Sequence, residues 1–93
     1  MEKIFSNYFS SNNWTPKNND KAVAKQFKFK SFKEAFSWML EVAITSEVLN
    51  HHPEWTNVYN KIDVILTTHD TGSISKNDLE LAKIMDISFE KYR

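Results

Sequence analysis

Cysteine is absent, which excludes disulfide staples, thiolate nucleophiles, thiolate zinc sites and iron–sulfur clusters. Glycine occurs once, at Gly72, whereas phosphate-cradling loops need several glycines so that the backbone can approach the ligand. Nucleotide-binding loops of the Walker or Rossmann type are therefore missing. Net charge is lacking too: 12 basic residues balance 12 acidic ones, which leaves no electrostatic footprint for nucleic acid. No apolar run is long enough to span a bilayer, and Met1 to Phe9 is too polar and interrupted for a signal-peptide core. The expected location is cytoplasmic, with neither membrane nor nucleic acid as a partner. At 93 residues, a single domain over 1–93 is expected. Its core is small enough that self-association is a natural source of further stability.

Asparagine takes over the punctuation that glycine does not supply, at Asn12-Asn13, Asn18-Asn19 and Asn60. Ile4, Phe5, Tyr8 and Phe9 recur at helical spacing and predict a short helix over residues 2–10. From Trp14 the chain reads as extended. It turns near Asn18-Asn19-Asp20 and resumes with Val23, Phe27 and Phe29 alternating with Gln26, Lys28 and Lys30, which predicts a half-buried hairpin with a basic outer face. Ser31-Phe32-Lys33-Glu34 fits a capping box and starts a second helix, with an apolar stripe of Phe32, Ala35, Phe36, Met39, Val42, Ala43 and Leu49. That helix is expected to stop by His52, because Pro53 disfavours helical geometry in the residue before it. Trp55, Val58 and Tyr59, then Ile62, Val64 and Leu66, predict a second hairpin joined tightly at Asn60-Lys61. Tyr59 is expected to pack. After Thr71-Gly72-Ser73, a second capping-box-like start at Ser75 to Asp78 leads into Leu79, Ala82, Met85 and Phe89. Hairpins imply antiparallel pairing, and helix stripes need a sheet face to cover. The expected fold is α+β, a two-layer sandwich of a four-stranded antiparallel sheet with helices on one face, in the order α-ββ-α-ββ-α.

All three histidines fall in one stretch, His51 and His52 after the second helix and His69 at the end of the last strand. An imidazole exchanges a proton near neutral pH, so this concentration points to proton-transfer chemistry. Adjacent residues point in different directions, which allows His51 and His52 separate tasks; their bland alternative is a favourable charge at a helix C-terminus. Asp70 is suited to orienting an imidazole or contacting a ligand, or to serving as a solvated turn residue, and Thr68 offers its backbone to a heterocycle. Glu47 lies one helical turn before His51, where it is placed to accept hydrogen bonds or tune that histidine, or to stand as an ordinary exposed glutamate. Three histidines with acidic neighbours also raise a zinc site, but the chain has no His-Glu-x-x-His motif and adjacent histidines diverge, so no metal is expected. Trp14 and Trp55 are candidates either for stacking on a flat ring or for the core.

Glu47, His51-His52-Pro53, Trp55, Asn57 to Lys61, and Thr68-His69-Asp70 together resemble the signature of the pterin-4a-carbinolamine dehydratases. Weaker echoes at Trp14, Phe27 to Phe29, Phe32, Ala35, Phe36, Leu79 and Ala82 extend the resemblance over nearly the whole chain. Where many relatives carry a double glycine after the Asp70 position, this chain has Gly72-Ser73, which leaves the loop's conformation open. The resemblance implies dehydration of 4a-hydroxytetrahydropterin to quinonoid dihydropterin, the recycling step that follows an aromatic amino-acid hydroxylase. It implies acid/base catalysis by His51 and His69 with His52 as partner, site-shaping roles for Asp70, Glu47, Pro53, Trp14 and Thr68, and no metal or redox cofactor. It also implies a homotetramer built from dimers, and an alternative role as dimerisation cofactor of a transcription factor. A catalytically silent relative is a third reading.

Overall fold

Ile62, Val64 and Leu66 are buried while Lys61, Asp63 and Ile65 face solvent, so one strand displays the alternation that sets the whole layer. This strand, β4 (Lys61–Leu66), lies between β2 (Ala22–Lys28) and β3 (Glu54–Val58), and β1 (Thr15–Lys17) completes an antiparallel sheet in the order β1-β2-β4-β3. Helices α1 (Lys3–Ser11), α2 (Phe32–Leu49) and α3 (Lys76–Phe89) cover its apolar face, and a short 3-10 turn, Glu90–Tyr92, follows. The computed structural model describes all 93 residues. The architecture is the expected α+β sandwich in α-ββ-α-ββ-α order.

The register Val23 to Leu66, Lys25 to Val64 and Phe27 to Ile62 puts these six side chains on the helix side. Five are apolar. The sixth, Lys25, reaches its ammonium to Asp86 of α3 at 2.7 Å. The first hairpin turns through Asn18, Asn19 and Asp20, all at positive φ, a conformation that asparagine and aspartate tolerate better than most residues. In the second hairpin Tyr59 takes the positive-φ position at 54° and stands in solvent, correcting its expected packing role. Asn57 Nδ2 donates to the carbonyls of Tyr59 and Lys61, which secures a turn made without glycine.

Helix α2 faces the core differently from the expected stripe. Ala35, Trp38, Val42 and Ser46 are buried, with Met39 and Leu49 packed beside them, whereas Phe32 and Phe36 are exposed. Trp38, absent from the expected stripe, is the largest fully buried side chain, and its Nε1–H donates to the Met85 carbonyl at 3.2 Å. Apolar residues lie all round this helix, so periodicity alone did not single out the inner face. In α1, Phe5 and Phe9 are buried while Ile4 is exposed. At the start of α2, Ser31 Oγ accepts the Glu34 N–H at 3.2 Å, but the Glu34 carboxylate makes no reciprocal bond, and its Oε1 is buried without a partner. Only half of that capping box forms.

Candidate active site

Asn50 ends α2 in the left-handed conformation, φ 52°, and the following His51 N–H bonds back to the Ser46 carbonyl at 3.0 Å. Asparagine thus does at this helix end what glycine usually does. The stop falls at Leu49, before Pro53 can impose one, and it reverses the chain so that His51-His52-Pro53 bridges the helix end to β3. His51 turns inward, with its side chain 11% exposed. His52 stays at the surface, its Nε2 2.5 Å from Glu47 Oε2. Glu47 was expected to serve His51; the reversal at Asn50 gives it to His52 instead.

The opposite wall is the segment from Thr67 to Ser75. The Thr68 N–H donates to the Ser73 carbonyl at 2.9 Å, and the Gly72 N–H donates to the Thr68 carbonyl at 2.8 Å. Gly72, at φ 64°, is the one glycine and sits where a left-handed residue closes this loop. The loop holds His69 out, 83% exposed, with Nε2 4.0 Å from Glu54 Oε2. Between the two walls lies an open cleft of about 370 Å³ lined by Asn50, His51, His52, Pro53, Glu54, Thr67, Thr68, His69 and Asp70. No large apolar side chain lines it.

Six of the eight expected site residues therefore meet at one cleft, and Glu47 stands behind His52. Trp14 does not join them. It is buried against Phe9 and Phe27, with its Nε1–H donating to Asp86 Oδ2 at 3.0 Å. It belongs to the core, in a cluster where Asp86 also accepts from Tyr8 Oη at 2.6 Å. Burial first, then the Asp86 bond and charge, push the Tyr8 hydroxyl well above its ordinary range. A depression of about 420 Å³ opens beside this cluster, but its Lys25 and Asp86 are already satisfied by one another.

Asp78 was read only as part of a helix cap. The structure gives it more. Fully buried at the start of α3, it sets Oδ1 2.6 Å from His51 Nε2 and Oδ2 2.7 Å from Thr68 Oγ1, and Oδ2 also accepts the Ser75 N–H at 2.9 Å. A carboxylate only accepts, so Nε2 carries the proton and Nδ1 is the lone-pair nitrogen of neutral His51. The signal available in the sequence was an acidic third residue of a cap, in place of the usual glutamate or glutamine, downstream of a histidine-bearing loop. Each of the three histidines thus faces a carboxylate: His51 with Asp78, His52 with Glu47, His69 with Glu54. No three of the chain's histidine, aspartate and glutamate side chains gather as a metal-binding set.

Residues 2–87 match the family model described as pterin 4 alpha carbinolamine dehydratase. The chain belongs to this family. Among similar proteins, one from Rhizobium rhizogenes is 49% identical over 73 residues, covering 78% of this chain and 72% of its own. One from Prochlorococcus marinus is 51% identical over 67 residues, covering 72% and 70%. Both are provisionally named pterin-4-alpha-carbinolamine dehydratases. The crystal structure of a transcriptional coactivator/pterin dehydratase from Brucella melitensis superposes with a TM-score of 0.86 at 33% identity, over 95% of this chain and 96% of that one. A pterin dehydratase-like protein identified as a RuBisCO assembly factor in the alpha-carboxysome shares the fold, with a TM-score of 0.71 at 17% identity over 82% and 88%. No helix of this family member is long and apolar enough to cross a membrane.

Proposed function

We propose that this chain dehydrates a 4a-hydroxytetrahydropterin to the quinonoid dihydropterin. The observation that carries the reading is His51, held by the buried Asp78 at the edge of a cleft that His52 and His69 also line. In the reaction the C4a–O bond breaks, and the departing hydroxide takes a proton and leaves as water. The N5–H bond gives its proton to a base, and its electron pair forms the C4a–N5 double bond. Electrons balance within the substrate, so no redox partner is called for. His51 suits the base: Asp78 fixes the ring with Nδ1 free to accept, and the carboxylate behind it favours the imidazolium that forms. His69, projecting into solvent from the facing loop, suits the acid that protonates the leaving oxygen. His52, Pro53, Thr68 and Asp70 frame the ring between them.

The same reading includes a place after an aromatic amino-acid hydroxylase, a cytoplasmic setting and a homotetramer, all carried by the resemblance. A protein-binding role is supported by a row of exposed apolar side chains on α2. The two readings separate in one assay. A 4a-hydroxytetrahydropterin generated in situ is followed by absorbance with wild type, His51→Ala and His69→Ala. Each folded variant is expected to lose ~10² to 10⁴ in rate, the usual worth of a general acid or base. Wild-type turnover in both variants refutes the assignment, and no turnover by wild type leaves the binding role.

A further inference from the structure

Thr68 lines the cleft, yet it has almost nothing left to offer a ligand. Its N–H donates to the Ser73 carbonyl at 2.9 Å, and its own carbonyl accepts the Gly72 N–H at 2.8 Å with the Thr71 hydroxyl 3.2 Å away. Its backbone, expected from the sequence to meet a heterocycle, is thus occupied in closing the loop that carries His69. The hydroxyl is committed too. Oγ1 lies 2.7 Å from Asp78 Oδ2 and 2.6 Å from Ser75 Oγ, part-buried at both contacts.

Proton order along this chain follows from one fact, that a carboxylate has no proton to give. Thr68 must therefore direct its single hydroxyl proton to Asp78. Towards Ser75 it can then only accept, so the Ser75 hydroxyl is the donor of that pair. The Ser75 N–H also ends on Asp78 Oδ2, at 2.9 Å. Ser75, Thr68 and Asp78 close a ring in which every proton has one direction, and hydrogen bonds in such a chain polarise and strengthen one another. An aspartate carboxylate otherwise turns broadly about its terminal torsion. With Oδ2 pinned from two sides the plane is fixed, and Oδ1 stays on His51 Nε2 at 2.6 Å.

We propose that Thr68 and Ser75 are positioning residues for His51, and that Thr68 is not a substrate ligand. Together they hold the Asp78 carboxylate in the orientation that keeps the His51 proton on Nε2 and leaves Nδ1 free. Both are stems of the His69 loop, so the ring ties the base of that loop and leaves its tip alone. The kinetic consequence rests on the dehydratase reading; the hold on the imidazole does not.

Thr68→Val keeps the branched shape and the backbone bonds and removes the hydroxyl alone. Without substrate, wild type is expected to show a downfield His51 Nε2–H resonance in slow exchange with water. Thr68→Val is expected to move it upfield or lose it to faster exchange, and Thr68→Ser to restore it. With a 4a-hydroxytetrahydropterin, Thr68→Val should lower kcat by ~10- to 10²-fold, the cost of a misplaced reacting group, at a KM within about twofold of wild type. Thr68→Ser should recover most of that loss. Ser75→Ala leaves the Thr68 proton on Asp78 and removes only the donor behind it. It should shift the same resonance less, and it carries the test if Thr68→Val does not fold. A raised KM at unchanged kcat in Thr68→Val would make Thr68 a ligand contact and overturn the proposal. So would a Thr68→Val protein that melts lower but keeps the wild-type resonance, or a wild type that has no such resonance. Absence of turnover by wild type would sink the dehydratase reading and leave the resonance to decide this proposal.

Discussion

Replacing Asp78 by asparagine changes one atom and tests both the fold and the chemistry. The carboxylate is fully buried and has three partners, the His51 ring, the Thr68 hydroxyl and the Ser75 N–H. Asparagine keeps one acceptor oxygen and turns the other into a donor, so one of the three must lose its partner or reverse its proton. The group with freedom to do so at Oδ1 is His51, whose tautomer can shift to place the proton on Nδ1. That protonates the nitrogen with which His51 is proposed to accept the substrate proton. Hydrogen bonds to a charged acceptor are worth about 1.5–3 kcal/mol each, and removing a negative charge from the first turn of α3 costs a further ~0.3–1 kcal/mol. Because the asparagine retains part of the bonding, a net loss of about 2–3 kcal/mol is expected. For a domain of this size that corresponds to a fall of roughly 10–20 °C in Tm.

Three measurements follow from that arithmetic. Thermal unfolding reads the stability loss, and histidine nitrogen shifts read the tautomer of His51. The dehydration rate well below the melting temperature is expected to fall by ~10² or more. A merely structural aspartate would lower Tm and leave the tautomer and the rate of the folded fraction unchanged. Asp78→Ala should be harsher, about 3–5 kcal/mol, since it strands a buried imidazole and two donors together. The reasoning is refuted if the asparagine variant melts with wild type, or if it turns over normally with Nε2 still protonated.

Tyr8→Phe is expected to cost about 1 kcal/mol at neutral pH. It should also remove an alkaline dependence: with its folded pKa raised, Tyr8 contributes stability that is fully present below its ordinary pKa near 10 and is lost as pH rises through the folded value. Urea titrations at pH 8 and above pH 10 would show a smaller drop for the variant than for wild type. Trp14→Phe should lower stability by removing the Asp86 bond while leaving the KM for the pterin unchanged, and a raised KM at unchanged stability would return Trp14 to the site. Exhaustive chelation should leave dehydration intact, whereas activity lost with stoichiometric zinc and regained on its return would replace the histidine mechanism with a metal one.

The element order was legible because each half of the chain repeats one signal: alternation in Ile62, Val64 and Leu66, and 3.6-residue spacing in Leu79, Ala82 and Met85. The inner face of α2 was not. Its sequence offers two apolar rows, and only the sheet decides that Trp38 and Val42 go inside while Leu40 and Ile44 stay out. Trp14 was open between ring stacking and core for a similar reason, since an indole suits either place and its neighbours in sequence do not reveal Asp86, 72 positions away. His51, His52 and His69 were visible as a group because they cluster in the chain. Asp78 was invisible as their neighbour because its local cap explained it completely.

That double use of Asp78 explains how a surface cleft obtains a fixed imidazole without a deep pocket. The residue must be buried to close the cap of α3, and burial leaves the rest of its acceptor capacity, all of Oδ1 and part of Oδ2, available only to groups brought in from other elements. His51 arrives from the end of α2 and Thr68 from the end of β4, so the two connections that frame the cleft meet at one side chain. An open loop carrying His69 can then move with little effect on His51. The orientation of the proposed base is set by the folding of α3, whereas the orientation of the proposed acid is set by a loop in solvent. Shortening or loosening the segment from Thr71 to Ser73 should therefore weaken leaving-group protonation before it weakens proton abstraction from N5.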